Sequence, residues 1–264
     1  QIKNAIIAKG GNVSSTSFRN YTSAINTIPG PKVWSEAEWQ QVYNNSFTPW
    51  SETGWQQVYN SMPVYPSNWI PIPNITNGAY YLINIDEGAS FSLPAITGNY
   101  TVDWGDGVIE NYNSVSANHT YTTLNGDLID GYKQAMIKIT PQEGFNITNI
   151  PSFNSKQLIA AVVNIPTLTS IAFMSCSSLK YVSIGENNIV NFSSMFYGCY
   201  SLTTIPQINT GLGTNFSSMF NNCYSLTTIP LLDTSKGTSF SSMFYGCYSL
   251  TTIPLLDTSK GTSF

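Results

Sequence analysis

MFYGCYSLTTIP, the stretch from Met195 to Pro206, decides the fold of this chain, because near-copies of it return from Met219 to Pro230 and from Met243 to Pro254. The copies follow one another at a fixed period of 24 residues. A period of this length is typical of a solenoid, in which each copy forms one coil and buries its apolar side against the next. Solenoids present long repeated surfaces, so the period predicts binding rather than catalysis.

Fainter copies precede the three clear ones. The run from Ala172 to Leu179 has the same pattern, with Cys176 placed 23 residues before Cys199. We therefore expect the solenoid to cover residues 146–264. Because Phe264 corresponds to Phe240 in the middle of a coil, we expect further copies beyond the sequence given.

The composition excludes several classes of partner. Only 9% of the 264 residues are charged and the net charge is -4, so no basic stripe is available for a phosphate backbone. We expect no nucleic-acid partner. No apolar run approaches the roughly 20 residues that a membrane-spanning helix requires, so we expect no membrane insertion.

The amino-terminal region contains a second repeat, in which Trp34–Asn44 returns sixteen residues later as Trp50–Asn60. Each copy has the spacing of a short amphipathic helix, which is marginal alone and needs a partner for its apolar face. We predict a short-helix docking region over residues 1–62 and self-association or docking on a larger assembly. The apolar faces consist of Trp39, Val42, Tyr43, Trp55, Val58 and Tyr59.

Four prolines between Pro63 and Pro73 predict a semi-rigid linker over residues 63–75. Beyond it the pattern alternates with period two, in Tyr80–Ile85, Tyr100–Trp104 and Lys133–Thr140, and turn residues separate these runs. This pattern predicts a β-sandwich over residues 76–145. The expected fold is thus multidomain and mainly β, with short helices first and the solenoid last.

The run Val102-Asp103-Trp104-Gly105-Asp106-Gly107, followed by His119-Thr120-Tyr121, resembles the polycystic-kidney-disease (PKD) type of immunoglobulin-like domain. The resemblance implies a spacer in an extracellular or virion-surface protein. We expect Asp106 and Gly107 to form a tight turn, Trp104 to fill the sandwich, and His119 and Tyr121 to satisfy the loop backbone.

The 24-residue copies resemble BspA-like leucine-rich repeats, which occur in bacterial surface proteins and in phage proteins. The opening stretch from Ile2 to Gly11 resembles a short helical element of phage tail and fibre proteins. Together the resemblances imply a non-enzymatic phage virion appendage, such as a tail fibre, receptor-binding protein or head fibre. Its helices would dock on other virion proteins, and its solenoid would bind a host-surface glycan or protein. A bacterial cell-surface adhesin is the alternative, and a polysaccharide-degrading tailspike is a third hypothesis.

Few residues are suited to chemistry. Cys199, Cys223 and Cys247 share one column with Cys176, and their aromatic and leucine neighbours predict buried structural thiols, although a metal ladder or a disulfide zipper is conceivable. His119 is the single histidine, and its strand setting predicts a structural role. A turn with Asp103, Asp106 and Glu110 has oxygen ligands for Ca²⁺ or a carboxylate pair for hydrolysis, but too few for the six to eight that Ca²⁺ prefers. We predict no catalytic residue, no metal and no cofactor.

Tyrosines recur with the coils and form the candidate binding surface: Tyr197, Tyr200, Tyr224, Tyr245 and Tyr248. Alternation around Phe196 implies that the phenylalanine faces inward and the neighbouring tyrosine outward. Two interpretations stay open, since outward tyrosines in register either contact a sugar or a protein receptor, or merely cover the edge of the coils.

Overall fold

The computed structural model describes residues 66, 68–73, 75–124, 126–205 and 208–264. Within these residues the chain is mainly β and contains no α-helix, which confirms the mainly β expectation. The ten strands are β1 (Gly78–Ile85), β2 (Ser90–Leu93), β3 (Asn99–Asp103), β4 (Ile109–Asn113), β5 (Ala117–Thr120), β6 (Lys133–Pro141), β7 (Asn149–Ile150), β8 (Leu158–Asn164), β9 (Ser170–Ile171) and β10 (Tyr181–Ile184). The predicted helices of residues 1–62, with Trp39, Val42, Tyr43, Trp55, Val58 and Tyr59, lie outside the described residues.

The largest element is a six-stranded sheet with the order β10-β8-β1-β6-β3-β4. Its pairs are antiparallel except for β8 and β10, which run parallel. Two small sheets accompany it, an antiparallel pair of β2 with β5 and a parallel pair of β7 with β9. The three runs predicted as strands therefore lie in β1, β3 and β6, adjacent members of one sheet.

Both faces of the sheet are covered. On one face, Tyr81 and Ile83 of β1 join a core that also contains Phe91 and Ala117 from the small β2–β5 sheet. On the other face, Leu82 of β1 packs with Ile159, Val162, Trp69 and Ile72. Alternation along β1 thus feeds two cores, as a strand buried on both sides requires. The described part of the predicted linker packs on the sheet through Trp69 and Ile72.

Beyond the sheet, the 24-residue copies stack in register. Parallel backbone bridges join Asn191 to Asn215, Asn215 to Ser239, and Ser239 to Ser263. Backbone N–H groups of one coil donate to carbonyl oxygens of the next, as from Phe196 to Met219 at 2.9 Å and from Phe220 to Met243 at 3.0 Å. Each coil therefore satisfies the backbone of its neighbour, and equivalent residues form columns.

Phenylalanine columns fill the interior of this stack. The rings of Phe173, Phe196, Phe220 and Phe244 follow one another at centroid distances of 6.0, 5.7 and 5.8 Å, nearly parallel. A second column consists of Phe192, Phe216, Phe240 and Phe264, at 5.5, 5.7 and 5.9 Å. The inward position expected for Phe196 is the one observed, since its side chain is fully buried.

The sheet and the core both cross residue 145, where we predict a boundary between sandwich and solenoid. Strands β8 and β10 come from the repeat region, yet β8 pairs directly with β1. One hydrophobic cluster extends from Ala79 to Met243. The ring of Phe153 links the two parts, because it contacts Tyr81 of β1 at 4.7 Å and Phe173 of the first coil at 5.8 Å.

Candidate functional site: a tyrosine surface on the stacked repeats

Three of the candidate tyrosines form a ladder on the surface. The rings of Tyr200 and Tyr224 lie 4.8 Å apart with an interplanar angle of 3°, and those of Tyr224 and Tyr248 lie 5.5 Å apart at 17°. All three side chains are exposed although their backbone belongs to a tightly bonded stack. The one-coil spacing of the backbone is thus transmitted to a row of aromatic side chains. We call Tyr200, Tyr224 and Tyr248 the tyrosine ladder.

The other two candidates lie beside this ladder. Tyr245 is 67% exposed, whereas Tyr197 is half-buried. Partial desolvation raises the pKa of Tyr224, and Tyr200, Tyr248, Tyr197 and Tyr245 raise it further through their charges when ionised. The structure therefore brings all five predicted tyrosines together around Tyr224.

Tyr197 and Tyr245 share a column whose middle member is Asn221. Gly198 donates its N–H to the carbonyl of Asn221 at 2.8 Å, and Asn222 donates to that of Tyr245 at 2.7 Å. These bonds fix the three residues at the same position in consecutive coils. Asn221 is buried, and its amide nitrogen lies 3.5 Å from the carbonyl oxygen of Ser242. This column thus carries a ring, an amide and a ring.

The second group of predicted residues meets at the turn between β3 and β4. Asp106 accepts the N–H of Val108 through Oδ1 at 3.1 Å, and Gly107 adopts a φ of 98°, which favours glycine. Asp106 Oδ2 lies 2.7 Å from Nε2 of His119. The imidazole stacks on Trp104 at 5.0 Å, and Tyr121 donates its hydroxyl to the carbonyl of Trp104 at 3.0 Å. His119 thus links strand β5 to the turn.

Glu110 is the member of this turn that the sequence did not assign. Its Oε2 accepts from Tyr112 at 2.6 Å and from the indole N–H of Trp104 at 2.9 Å. These two hydrogen bonds, in that order, lower the pKa of Glu110. Burial and the bond to Glu110 raise the pKa of Tyr112 to about 12. The position of Glu110 on β4, opposite Val102, was the available signal, because a strand neighbour of Trp104 lies within reach of its indole.

The calcium interpretation competes with these bonds. Asp103 Oδ1 accepts the N–H of Gly105 at 3.0 Å, and both oxygens of Asp106 are engaged by Val108 and His119. In the described part of the chain, no group of three or more histidine, cysteine, aspartate or glutamate side chains is placed to hold a metal ion. The same residues contain no helix with the length and apolar character needed to cross a bilayer.

The cysteines form a buried column of free thiols. Each thiol donates to the carbonyl of a phenylalanine in the preceding coil: Cys199 to Phe173 at 3.1 Å, Cys223 to Phe196 at 3.1 Å and Cys247 to Phe220 at 3.0 Å. Burial raises the pKa of all of them, to about 11 for Cys176, so the thiols stay protonated at neutral pH. A protonated thiol is a poor nucleophile and a poor metal ligand.

Comparison with known proteins identifies the stacked part of the chain. No curated protein and no solved structure matches the chain. Residues 138–262 match the BspA type leucine rich repeat region, in six copies, and this match begins within β6, ahead of the expected start at residue 146. With the columns of phenylalanine, cysteine and leucine in register, the matched segment, residues 138–262, carries BspA-type leucine-rich repeats.

Proposed function

We propose that this chain is a non-enzymatic adhesive protein displayed on a surface, and that its repeats bind a glycan or protein of a host surface through the tyrosines around Tyr224. One observation carries the proposal: exposed tyrosine rings in register on a stack whose interior is closed. Tyrosine combines a large apolar ring with a polar hydroxyl at little cost in side-chain entropy, which is why it is enriched in binding interfaces.

The carrier surface that we propose is a phage virion, with residues 1–62 docked on other virion proteins and the repeats directed outward. The resemblance of the opening stretch to phage fibre elements supports this. A bacterial cell surface is the second candidate, and the BspA-type repeats of residues 138–262 favour it. Antibodies against the chain separate the two by immunogold labelling, since the first requires label on phage particles and the second requires label on cells that carry no phage.

Binding is tested with the fluorescently labelled full chain on a panel of bacterial strains. The triple variant Tyr200→Ala/Tyr224→Ala/Tyr248→Ala is expected to lose at least tenfold in cell-bound signal, because each ring contributes about 1 kcal/mol or more at a binding hot spot. Tyr132→Ala is the matched control, since this tyrosine is exposed but lies far from the ladder in sequence, between β5 and β6. Equal binding by the triple variant and the wild type would contradict the assignment of the tyrosines.

The absence of catalysis is tested separately. Incubation of the full chain with capsular or cell-wall polysaccharides is expected to release no new reducing ends. Release that disappears in Asp103→Asn or Glu110→Gln would instead support the tailspike hypothesis, because those carboxylates lie at the turn after β3 and on β4.

A further inference from the structure

The tyrosine ladder is closed to ligands that insert between its rings. A ring placed between two aromatic faces needs about 7–8 Å between them, since carbon atoms pack at about 3.5–4.0 Å. The rings of Tyr200, Tyr224 and Tyr248 lie only 4.8 and 5.5 Å apart. Along the ladder, each ring face inside the row is covered by the next tyrosine. The ladder therefore offers ring edges and hydroxyl groups.

The neighbouring column is open where the ladder is closed. Its members are Tyr197, Asn221 and Tyr245, held at equivalent positions of consecutive coils by backbone hydrogen bonds. At a spacing of about 4.8 Å per coil, the two tyrosine positions are roughly 10 Å apart, and no ring stands between them. This distance exceeds the 7–8 Å that one inserted ring requires. The replacement of one tyrosine by asparagine thus creates a slot two coils high.

We propose that this slot, between Tyr197 and Tyr245 and above Asn221, binds one neutral pyranose ring of a surface glycan. The proposal rests on the adhesive function proposed above and names the ligand class for that same surface. The C–H groups of a pyranose are weakly positive and pack on the negative face of an aromatic ring, which the two tyrosines supply. Its hydroxyl groups need donors and acceptors, which the amide of Asn221 and the phenol of Tyr224 supply.

The surroundings favour a neutral sugar over a charged one. None of the side chains of Tyr197, Asn221, Tyr224 and Tyr245 carries a charge at neutral pH, so an ionised ligand would lose hydration without gaining an ion pair. The amide of Asn221 is held only by a hydrogen bond of 3.5 Å to the carbonyl of Ser242, at the limit of such bonds. It therefore remains able to turn toward a ligand. Tyr245, 67% exposed, is free to close over the bound ring.

The test uses the full chain and four neutral probes, the methyl glycosides of glucose, galactose, mannose and N-acetylglucosamine, followed by saturation-transfer NMR. The decisive variant is Asn221→Tyr, which restores the ring found in both adjacent coils and fills the slot. Since tyrosine already occupies this position above and below, the melting temperature is expected to stay unchanged. Binding of the probe is expected to fall at least tenfold, and Tyr245→Ala is expected to produce a similar loss.

Leu212→Tyr is the matched control, because it adds a tyrosine to an exposed position of the same stack at another column, and it is expected to bind as the wild type does. Equal binding by Asn221→Tyr and the wild type would overturn the slot while leaving the adhesive function in place. So would binding to cells without binding of any probe. A wild type that binds neither cells nor probes would reject the adhesive function as well.

Discussion

Single cysteines of the repeat stack show how one side chain serves two coils. Cys223 fills its own coil and donates its S–H to the carbonyl of Phe196 in the coil before it. Its aromatic and leucine neighbours predict its burial from the sequence. The acceptor was not predictable, because it depends on the offset between coils, which the period leaves undetermined.

This arrangement makes stability depend on alkaline pH. Burial raises the folded-state pKa of the thiols above their ordinary value of 9.0, so the unfolded chain loses its thiol protons first as the pH rises. The stabilising contribution is fully present below pH 9 and is lost above it. We expect the free energy of unfolding to fall by about 1 kcal/mol per buried thiol between pH 8 and pH 10. Urea denaturation at both values measures this.

The control for the alkaline loss is Cys223→Ser, which keeps a donor for Phe196 but removes the titration. Its unfolding free energy should decline less with pH than that of the wild type. Identical declines in the two proteins would show that the thiol of Cys223 does not contribute.

On the scale of one coil, the residue before each cysteine takes a left-handed backbone conformation. The φ values are 60° at Ser175, 70° at Gly198, 60° at Asn222 and 74° at Gly246. A Cβ atom on Gly198 would lie 3.4 Å from the backbone of Ser175, in ordinary contact, so the cost of a side chain there is mainly conformational. Glycine alternates with asparagine and serine in this column, and asparagine is the side chain best tolerated at such angles.

We therefore expect Gly198→Ala to lower the free energy of unfolding by about 1–2 kcal/mol, the cost of left-handed backbone for a residue with a Cβ atom. Chemical denaturation gives the value. Asn222→Gly, at the equivalent position one coil later, is the control and should cause no such loss. A Gly198→Ala variant as stable as the wild type would show that the coil relaxes to another conformation.

The elements were predictable from the sequence to different degrees. The period of 24 residues predicts columns, and Phe196, Phe220 and Phe244 form one. Alternation predicts the strands β1, β3 and β6. The pairing of β8 with β1 was not predictable, because it joins residues far apart in sequence through an apolar run with no alternation. Likewise the sequence shows that Asn221 replaces a tyrosine, but only the ring spacing of the neighbouring ladder gives that replacement a meaning.

For the whole molecule, the continuity of the core is the main finding beyond the sequence. Phe153 and Phe173 connect β1 to the first clear coil, so the sheet covers the apolar end of the stack. Every solenoid needs such a cover for its terminal coil. The sheet, predicted only as a spacer, thus also contributes to the stability of the repeats.

Phe173→Ala tests this role. Removal of a fully buried ring at the junction is expected to cost about 3–5 kcal/mol and to destabilise the sheet and the repeats together, with one shifted transition in denaturation followed by circular dichroism and tryptophan fluorescence. Phe145→Ala, at a half-exposed ring between β6 and β7, should cost less than about 1 kcal/mol. Two separate transitions in the Phe173→Ala variant would instead show that the sheet folds without the repeats.

The hydrogen bonds between coils point from one coil to the next, as from Phe196 to Met219 and from Phe220 to Met243. A pulling force along the stack would load one coil's bonds at a time, as in opening a zip, rather than shearing all of them at once. Each detached coil of 24 residues would pay out up to roughly 80 Å of extended chain. Under flow, such a tether lengthens stepwise and dissipates the load before the contact at its far end is broken.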